Sequence, residues 1–208
     1  MSARGYGRRR YARGRMDART ARILLVSGST RSGSTNTALL RTARDAPPAG
    51  VDAELYEGLA GLPHFNPDDD VEPLPPAVAD LRARIAAADA VLFCTPEYAG
   101  ALPGSFKNLL DWTVGGPEMY GKPVAWVNAS ASPTRAAKAH ESLETVLRTI
   151  HADVVSEACR HVAVARGRVV DGLVADPDAR AGIAEVLAAL AAYALARTDW
   201  DPASARSA

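Results

Sequence analysis

One stretch gives the first indication of the fold of this chain: Ile23-Leu24-Leu25-Val26-Ser27-Gly28-Ser29-Thr30-Arg31-Ser32-Gly33-Ser34-Thr35-Asn36. Its four leading apolar side chains are typical of a parallel strand that is buried on both faces. A polar loop follows, and apolar side chains at helical spacing begin at Ala38. The first N–H groups of a helix lack partners within the helix, and the helix dipole favours an anion there. The stretch therefore predicts a strand over 22–27, a helix over 35–45 and an anion-binding loop between them.

The composition of this loop favours a phosphate monoester as the anion. Gly28 and Gly33 let the backbone approach a ligand, five Ser and Thr hydroxyls donate, and the guanidinium of Arg31 suits phosphate oxygens. The spacing of the two glycines is that of a P-loop, but Ser34 stands where that motif requires Lys. Without the Lys, a triphosphate with its magnesium ion is poorly balanced. The alternative is a simple helix cap, with Ser34 or Thr35 as the N-cap.

Length and composition indicate one α/β domain preceded by a basic segment. The chain has 208 residues, and its 48% of hydrophobic residues is enough for a substantial core. Residues 1–20 contain seven Arg and one Asp, which leaves the remainder with a net negative charge. We expect 1–20 to be a disordered basic tail, 21–197 to form the folded domain and 198–208 to be a C-terminal tail. A basic tail can bind nucleic acid, but a solvated tail, or an extension that precedes a start at Met16, is the favoured interpretation.

The sequence predicts a cytoplasmic protein without a membrane segment. Its apolar runs are shorter than the roughly 18 residues that a membrane span needs, and the N-terminus lacks the apolar centre of a signal peptide. Cys94 and Cys159 lie in apolar surroundings, far apart in the sequence. We expect both to be buried free thiols in a reducing compartment.

Strand and helix patterns alternate along the rest of the chain. Residues 51–56 alternate apolar and polar side chains, as an edge strand does, and residues 90–95 form the most apolar run, which predicts a central strand. A fourth strand is predicted over 123–128. Further helices are expected near 78–88, near 106–113, up to about 150 and near 183–194, with short strand candidates at Val154-Val155, Val162-Ala163-Val164 and Val169-Val170. This alternation predicts a parallel sheet with helices on both faces.

Unusual polar loops follow three of the predicted strands, over 28–36, 95–104 and 129–134. In open parallel sheets, ligands bind outside the carboxyl ends of the strands, where the strand order reverses. Because all three loops lie at that edge, the sequence predicts one binding crevice formed by them together.

The loops also carry a family resemblance. The 28–36 loop, followed by Thr-Pro-Glu-Tyr at 95–98 and by Pro-Gly-Ser-Phe-Lys-Asn-Leu-Leu-Asp-Trp at 103–112, resembles the NADPH-dependent FMN reductase family over about residues 21–197. This family includes quinone, azo and chromate reductases. The resemblance implies a flavodoxin-like three-layer sandwich, with a five-stranded parallel sheet and helices on both faces.

The resemblance further implies which residues bind the cofactor. The FMN phosphate would lie on the first loop and the flavin ring beside the loops after the third and fourth strands. By resemblance, the cofactor-binding residues are Ser29, Arg31, Ser34, Thr35 and Asn36 in the first loop, Pro96, Glu97, Tyr98 and Ala99 in the second, and Ser130 in the third. Lys107, Asn108 and Asp111 would stabilise the 96–99 loop and the helix that follows it. Many members have Asn at the position of Ala99 and several Gly residues where this chain has Ser-Ala-Ser-Pro-Thr-Arg at 130–135.

These implications predict an FMN-dependent oxidoreductase. It would transfer a hydride from NADPH or NADH to the flavin and on to a quinone, an azo compound, chromate or free flavin. The cofactor carries this chemistry, so no catalytic side chain is expected, and the four His residues show no metal-ligand spacing. The alternatives are a non-catalytic electron carrier or redox sensor that uses the same pocket, and a module that binds a sugar phosphate or nucleoside monophosphate.

A cluster of large apolar side chains predicts a homo-oligomer. In a monomer these side chains, all near the expected pocket, would risk forming an exposed apolar patch. They are Tyr98, Leu102, Phe106, Trp112, Met119 and Tyr120. We expect a homodimer, or a pair of dimers, with this segment at an interface close to the flavin. The alternative is that the cluster packs internally against the long loop over 57–74.

Overall fold

A computed structural model describes residues 19–197, so the predicted tails lie almost entirely outside the described residues. The strands are β1 (Ala21–Ser27), β2 (Val51–Tyr56), β3 (Ala90–Cys94), β4 (Pro123–Asn128), β5 (Asp153–Val154), β6 (Arg160–His161), β7 (Val169–Val170) and β8 (Leu173–Val174). The helices are α1 (Thr35–Asp45), α2 (Pro76–Ala87), α3 (Gly104–Asp111), α4 (Ala137–Thr149) and α5 (Pro177–Ala196).

The main sheet is parallel and has the order β2-β1-β3-β4-β5. In its centre, Leu25 of β1 lies opposite Leu55 of β2 on one side and Leu92 of β3 on the other. From β1 the chain first moves outward to β2 and then returns to the opposite side for β3. The order therefore reverses between β1 and β3, which is the flavodoxin-like arrangement. The predicted fold class is confirmed, with β3 as the central strand.

The fifth position of the sheet is divided between two short strands. β5 pairs with the first residues of β4 and β6 with its last residues, both in parallel. A 3-10 turn over Ser156–Ala158 separates them. The strands predicted at Val154-Val155 and Val162–Val164 are thus displaced by one to two residues, because this turn interrupts the extended chain. Val155 and Val162 still donate their N–H groups to carbonyls of β4 and bury their side chains.

Helices cover both faces of the sheet because the side chains of β1 and β3 alternate between two cores. Ile23 and Leu25 of β1 pack into the core formed with α1 and α5. Leu24 and Val26 pack into the other core, against α2, α3 and α4. Since both faces are apolar, the unbroken hydrophobic run of β1 is accounted for.

Helix α5 corrects one expectation. Among the described residues it is long and apolar enough, by length and composition, to cross a membrane. No long apolar run is visible in the sequence here, because Asp178, Arg180 and Glu185 interrupt the helix. In this fold α5 packs against β1, β3 and β4, and Ile183, Leu187 and Leu190 are buried there. It is the core helix of one face.

Hydrogen bonds connect the long segment over 57–74 to α3 and to the turn after it. The indole nitrogen of Trp112 donates to the carbonyl of Pro63 at 2.8 Å. Asn108 donates to the same carbonyl at 2.8 Å and accepts from the N–H of Phe65 at 2.7 Å. Asn108 was expected to stabilise the 96–99 loop and the helix that follows it. Its amide hydrogen bonds instead join α3 to the 57–74 segment.

The apolar cluster near the pocket is mostly internal. Phe106, Trp112 and Met119 are buried, and the Trp112 ring packs edge-to-face on Phe65 with centroids 5.0 Å apart. These three side chains therefore add no exposed patch, and Trp112 packs against the 57–74 segment as the alternative described. Tyr98 and Tyr120 remain about half exposed.

Candidate functional site

A cavity of about 920 Å³ lies at the carboxyl ends of β1, β3 and β4. Its walls come from the loops after these three strands, as the sequence predicted. Nine of the ten predicted cofactor residues line it, namely Ser29, Arg31, Ser34, Thr35, Asn36, Pro96, Glu97, Tyr98 and Ser130. Ala99 is exposed and is not among the lining residues. The strand order brings together segments that are about 100 positions apart in the sequence.

The first loop presents hydrogen-bond donors at the start of α1. Ser34 is the N-cap, and its hydroxyl oxygen accepts from the N–H of Thr37. The hydroxyl oxygen of Ser29 accepts from the N–H of Arg31. Because each oxygen accepts from the backbone, each hydroxyl keeps its own hydrogen for a ligand. The N–H groups of Thr35 and Asn36, in the first turn of α1, have no acceptor within the helix. The loop is therefore an array of donors suited to an anion.

Arg31 supplies the positive charge of this loop. Its guanidinium donates one hydrogen bond to the carbonyl of Gly33, which restrains the side chain. Four of its five N–H donors remain for a ligand. Restraint by the loop's own backbone lowers the entropy that the side chain would lose on binding an anion.

Gly28 holds the first loop close against the end of β3. A Cβ atom at this position would lie 2.3 Å from Oγ1 of Thr95 and 2.9 Å from the ring of Phe106. The N–H of Gly28 donates to the carbonyl of Cys94 at 2.9 Å. Any side chain here would push the first loop away from the second loop, so the cavity depends on this glycine.

The second loop ends in a tight two-residue turn. Tyr98 and Ala101 exchange backbone hydrogen bonds of 3.1 and 3.0 Å, and the residues between them, Ala99 and Gly100, have φ values of 51° and 74°. Two successive positive φ angles are typical of a type I′ turn, which favours Asn-Gly. This geometry favours Asn at position 99, the residue that the family resemblance leads us to expect there.

Glu97 connects the second loop to α4. Its carboxylate accepts from the N–H of Ala139 at 3.3 Å, near the start of that helix. The carboxylate thus occupies the position where the helix dipole favours a negative charge. This contact gives Glu97 a structural role in holding the cavity wall.

Sequence reasoning missed Asn128, which organises the third loop. Its amide nitrogen donates to the carbonyl of Arg135 at 2.8 Å, and its oxygen accepts from the N–H of Ser130 at 3.0 Å. The hydroxyl of Ser130 donates to the carbonyl of Ser132 at 2.6 Å. Ser130 therefore lines the cavity with its hydroxyl hydrogen engaged inside the loop. The feature of the sequence that could have identified Asn128 is a polar residue at the end of a buried strand.

His140 was also missed, and it fixes the end of the third loop. Its Nδ1 is bonded to the carbonyl of Ala136 at 2.6 Å, and Ala136 has a φ of 64°. Burial lowers the pKa of His140, so the neutral ring with its hydrogen on Nδ1 is favoured. The ring thereby stabilises a left-handed residue that lines the cavity.

Lys107 and Asp111 do not reach the cavity. They form an ion pair of 2.5 Å, one turn apart on α3, with both side chains partly exposed to solvent. Their contribution to the helix is that of a surface pair, a few tenths of a kcal/mol.

The chain matches known proteins over most of its length. Residues 21–166 match the sequence profile of the NADPH-dependent FMN reductase family. An NAD(P)H-dependent FMN reductase of Pseudomonas aeruginosa is 38% identical over 158 residues, which are 72% of this chain and 85% of that protein. A quinone reductase of Escherichia coli K12 is 30% identical over 138 residues, which are 65% of this chain and 73% of that protein.

Solved structures agree with this assignment. The flavoenzyme FerB of Paracoccus denitrificans, an NAD(P)H:(acceptor) oxidoreductase, superposes with a TM-score of 0.74 at 26% identity, over 85% of this chain and 98% of that chain. A WrbA-like flavodoxin of Agrobacterium tumefaciens has a TM-score of 0.53 at 18% identity, over 82% of this chain and 98% of that chain, and shares the fold. The profile match, the sequence relatives and the crevice of three loops lead to one conclusion: this chain belongs to the NADPH-dependent FMN reductase family.

Proposed function

We propose that this FMN- and NAD(P)H-dependent oxidoreductase holds the FMN phosphate on the 29–36 loop and delivers electrons to a quinone-type acceptor. The observation that carries the proposal is the convergence of Ser29, Arg31, Ser34 and the free N–H groups of α1 on one cavity. When bound, FMN supplies the redox chemistry, accepting a hydride from NAD(P)H and returning two electrons to the acceptor.

The residues present fit a flavin mononucleotide. A monoester dianion needs several donors and one or two cations, and the first loop offers hydroxyls, N–H groups and Arg31. Pro96 and Ala129 give the part of the cavity beyond this loop an apolar wall suited to an aromatic ring system. The volume of about 920 Å³ lies near the upper end of the usual range for small-molecule sites, which leaves room for a second reactant.

The side chains of this chain bind and orient the reactants. Glu97 is tied to α4, and His140 is buried with a lowered pKa, so neither is placed as a proton donor in the cavity. Tyr98, half exposed at the cavity, would cover or contact the incoming reactant. A quinone is the acceptor that we propose, because a flat aromatic two-electron acceptor suits an open site beside a flavin ring, and relatives are named quinone reductases.

Arg31→Ala tests the phosphate site. A charge-assisted contact contributes about 1.5–3 kcal/mol, so the dissociation constant for FMN should rise roughly 10- to 150-fold. Fluorescence titration of the apoprotein with FMN and with riboflavin measures this effect, and wild type should prefer FMN. Arg41→Ala is the matched control, because Arg41 lies on α1 outside the main cavity and pairs with Glu57 at 3.6 Å. Unchanged FMN binding in Arg31→Ala, or equal affinity for the two flavins, would contradict the proposal.

Steady-state oxidation of NADPH and of NADH with a benzoquinone tests catalysis. We expect turnover that depends on both the nicotinamide and the quinone. A protein that binds FMN and is reduced only stoichiometrically would instead be an electron carrier or redox sensor. A protein that never binds FMN would be a phosphate-binding module.

We also propose a homodimer, or a pair of dimers, with the 95–120 segment at the interface near the flavin. Tyr98 lines the cavity at 54% exposure, and Val114 and Tyr120 of the same segment are exposed by 60% and 51%. A partner covering these side chains would also shield the cavity. Sedimentation equilibrium at micromolar concentration with FMN bound should give two or four times the 21.9 kDa of one chain. A mass of one chain would rule the proposal out.

A cytoplasmic location is part of the proposal. Cys94 and Cys159 are both free thiols, with Cys94 fully buried and Cys159 half-buried. Free thiols and a supply of NADPH both fit a reducing compartment.

A further inference from the structure

Cys94 contacts the phosphate loop at both of its ends. It is the last residue of β3, and its side chain has no exposed surface. Its backbone carbonyl accepts from the N–H of Gly28, where the loop begins, at 2.9 Å. Its thiol donates to Oδ1 of Asn36, where the loop has become helix, at 3.1 Å. One residue of the central strand thus contacts both ends of the loop and holds it in place.

The thiol contact sets the direction of the Asn36 amide. An amide has a carbonyl that accepts and an NH₂ group that donates, and only the NH₂ group is attractive to an anion. With Oδ1 directed at the thiol, Nδ2 points away from Cys94, and Asn36 lines the cavity together with Ser34 and Thr35. The reversed amide would present its carbonyl to a phosphate and repel it.

The thiol keeps its hydrogen for this purpose. Burial raises the pKa of Cys94, so the thiol stays protonated at neutral and moderately alkaline pH. Since a protonated thiol is a donor, it selects the oxygen of the amide as its partner.

We propose that Cys94 is a positioning residue for phosphate recognition: its thiol fixes the Asn36 amide so that Nδ2 faces the FMN phosphate. This inference rests on the proposed function, because it requires the phosphate to lie on the 29–36 loop. Cys94 itself contacts no ligand and acts through Asn36.

The test measures phosphate discrimination, defined as the dissociation constant for riboflavin divided by that for FMN. Cys94→Ala removes the donor and should lower this ratio by about 2- to 12-fold, the range for one neutral hydrogen bond. Cys94→Ser keeps a donor and should retain most of the ratio. Cys94→Val, similar in size to Cys but without a donor, should behave like Cys94→Ala and provides a second variant if the alanine protein folds poorly.

A double-mutant cycle separates positioning from packing. In an Asn36→Ala background the amide is gone, so Cys94→Ala should leave the ratio unchanged there. Cys159→Ala is the matched control, because that thiol donates to the carbonyl of Val155 at 3.5 Å and does not line the cavity. Its ratio should equal that of wild type.

The outcomes distinguish this inference from the function on which it rests. Equal weakening of FMN and riboflavin in Cys94→Ala, or the same loss of ratio with and without Asn36, would overturn the positioning role alone. A wild-type ratio near one would overturn the proposed phosphate site and this inference with it.

Discussion

Ala99 has a backbone conformation that is unfavourable for its side chain. Its φ of 51° lies in the left-handed region, where a residue with a Cβ atom is disfavoured by about 1–2 kcal/mol and Asn or Gly is tolerated better. Ala99→Asn should therefore stabilise the protein by about 0.5–1 kcal/mol, which raises Tm by roughly 1–4 °C for a domain of this size. Thermal unfolding followed by circular dichroism measures the change.

The neighbouring Ala101 provides the control for this substitution. Ala101 is exposed on the other side of the turn and is not among the described residues with positive φ. Ala101→Asn should give no increase in Tm. An equal increase at both positions would show that the added amide stabilises the protein for a reason other than the turn.

At the scale of single residues, the sequence predicts well which side chains line the cavity and predicts poorly which contacts hold them there. Arg31 and Ser34 could be placed at the cavity because their chemistry and spacing are contained within one loop. The roles of Asn128, His140 and Cys94 could not, because each depends on a partner that only the folded chain brings near. The thiol of Cys94 and its partner Asn36 are 58 positions apart.

At the scale of elements, a buried ion pair anchors the long 57–74 segment. Arg82 of α2 bonds to Asp70 at 2.6 Å and donates from Nε to the carbonyl of Trp112 at 2.8 Å. Both charged side chains are about 10% exposed. Asp70→Ala would leave the guanidinium buried without its counterion, so we expect a loss of about 3 kcal/mol in the free energy of unfolding.

Urea denaturation of Asp70→Ala beside Asp68→Ala measures this loss. Asp68 lies in the same segment and is exposed, so its substitution should cost less than about 0.5 kcal/mol. Similar midpoints for the two variants would show that the pair does not anchor the segment.

Elements with a long periodic pattern were predictable, and short ones were not. β1, β3 and β4 each have five or more residues in a recognisable apolar run, and their positions were predicted within a residue. β5 and β6 have two residues each, which is too few to show a periodic pattern. Their positions are determined by their pairing with β4. The conformation of the 57–74 segment is determined by its contacts with α2 and α3, and the local sequence pattern does not predict these contacts.

At the scale of the whole molecule, a buried lysine makes stability depend on pH. Lys122 is fully buried just before β4 and donates to the carbonyl of Ala88. Burial lowers its pKa to about 7, while the nearby carboxylates of Asp89 and Glu118 oppose the shift. The unfolded chain, with an ordinary lysine pKa near 10.4, binds more protons than the folded chain between these two values. The contribution of Lys122 to the free energy of unfolding therefore rises with pH between these two pKa values.

Lys122→Met should remove this dependence. The free energy of unfolding of wild type, relative to the variant, should increase from pH 7 to pH 10 by up to about 1.4 kcal/mol per unit. Denaturant titrations of both proteins at each pH measure the difference, in which other titrating groups largely cancel. A difference that stays constant over this window would contradict the lowered pKa.

The divided fifth position of the sheet has a consequence for behaviour at high concentration. A sheet edge with a long row of unpaired N–H and C=O groups invites a strand from another molecule, which is how edge-to-edge aggregation begins. On one side, β5 and β6 are two residues each and are interrupted by the turn at Ser156–Ala158. On the other side, β2 carries the exposed charges of Asp52 and Glu54. Neither edge offers a long uncharged template, so the architecture itself protects the protein from fibre-like self-association.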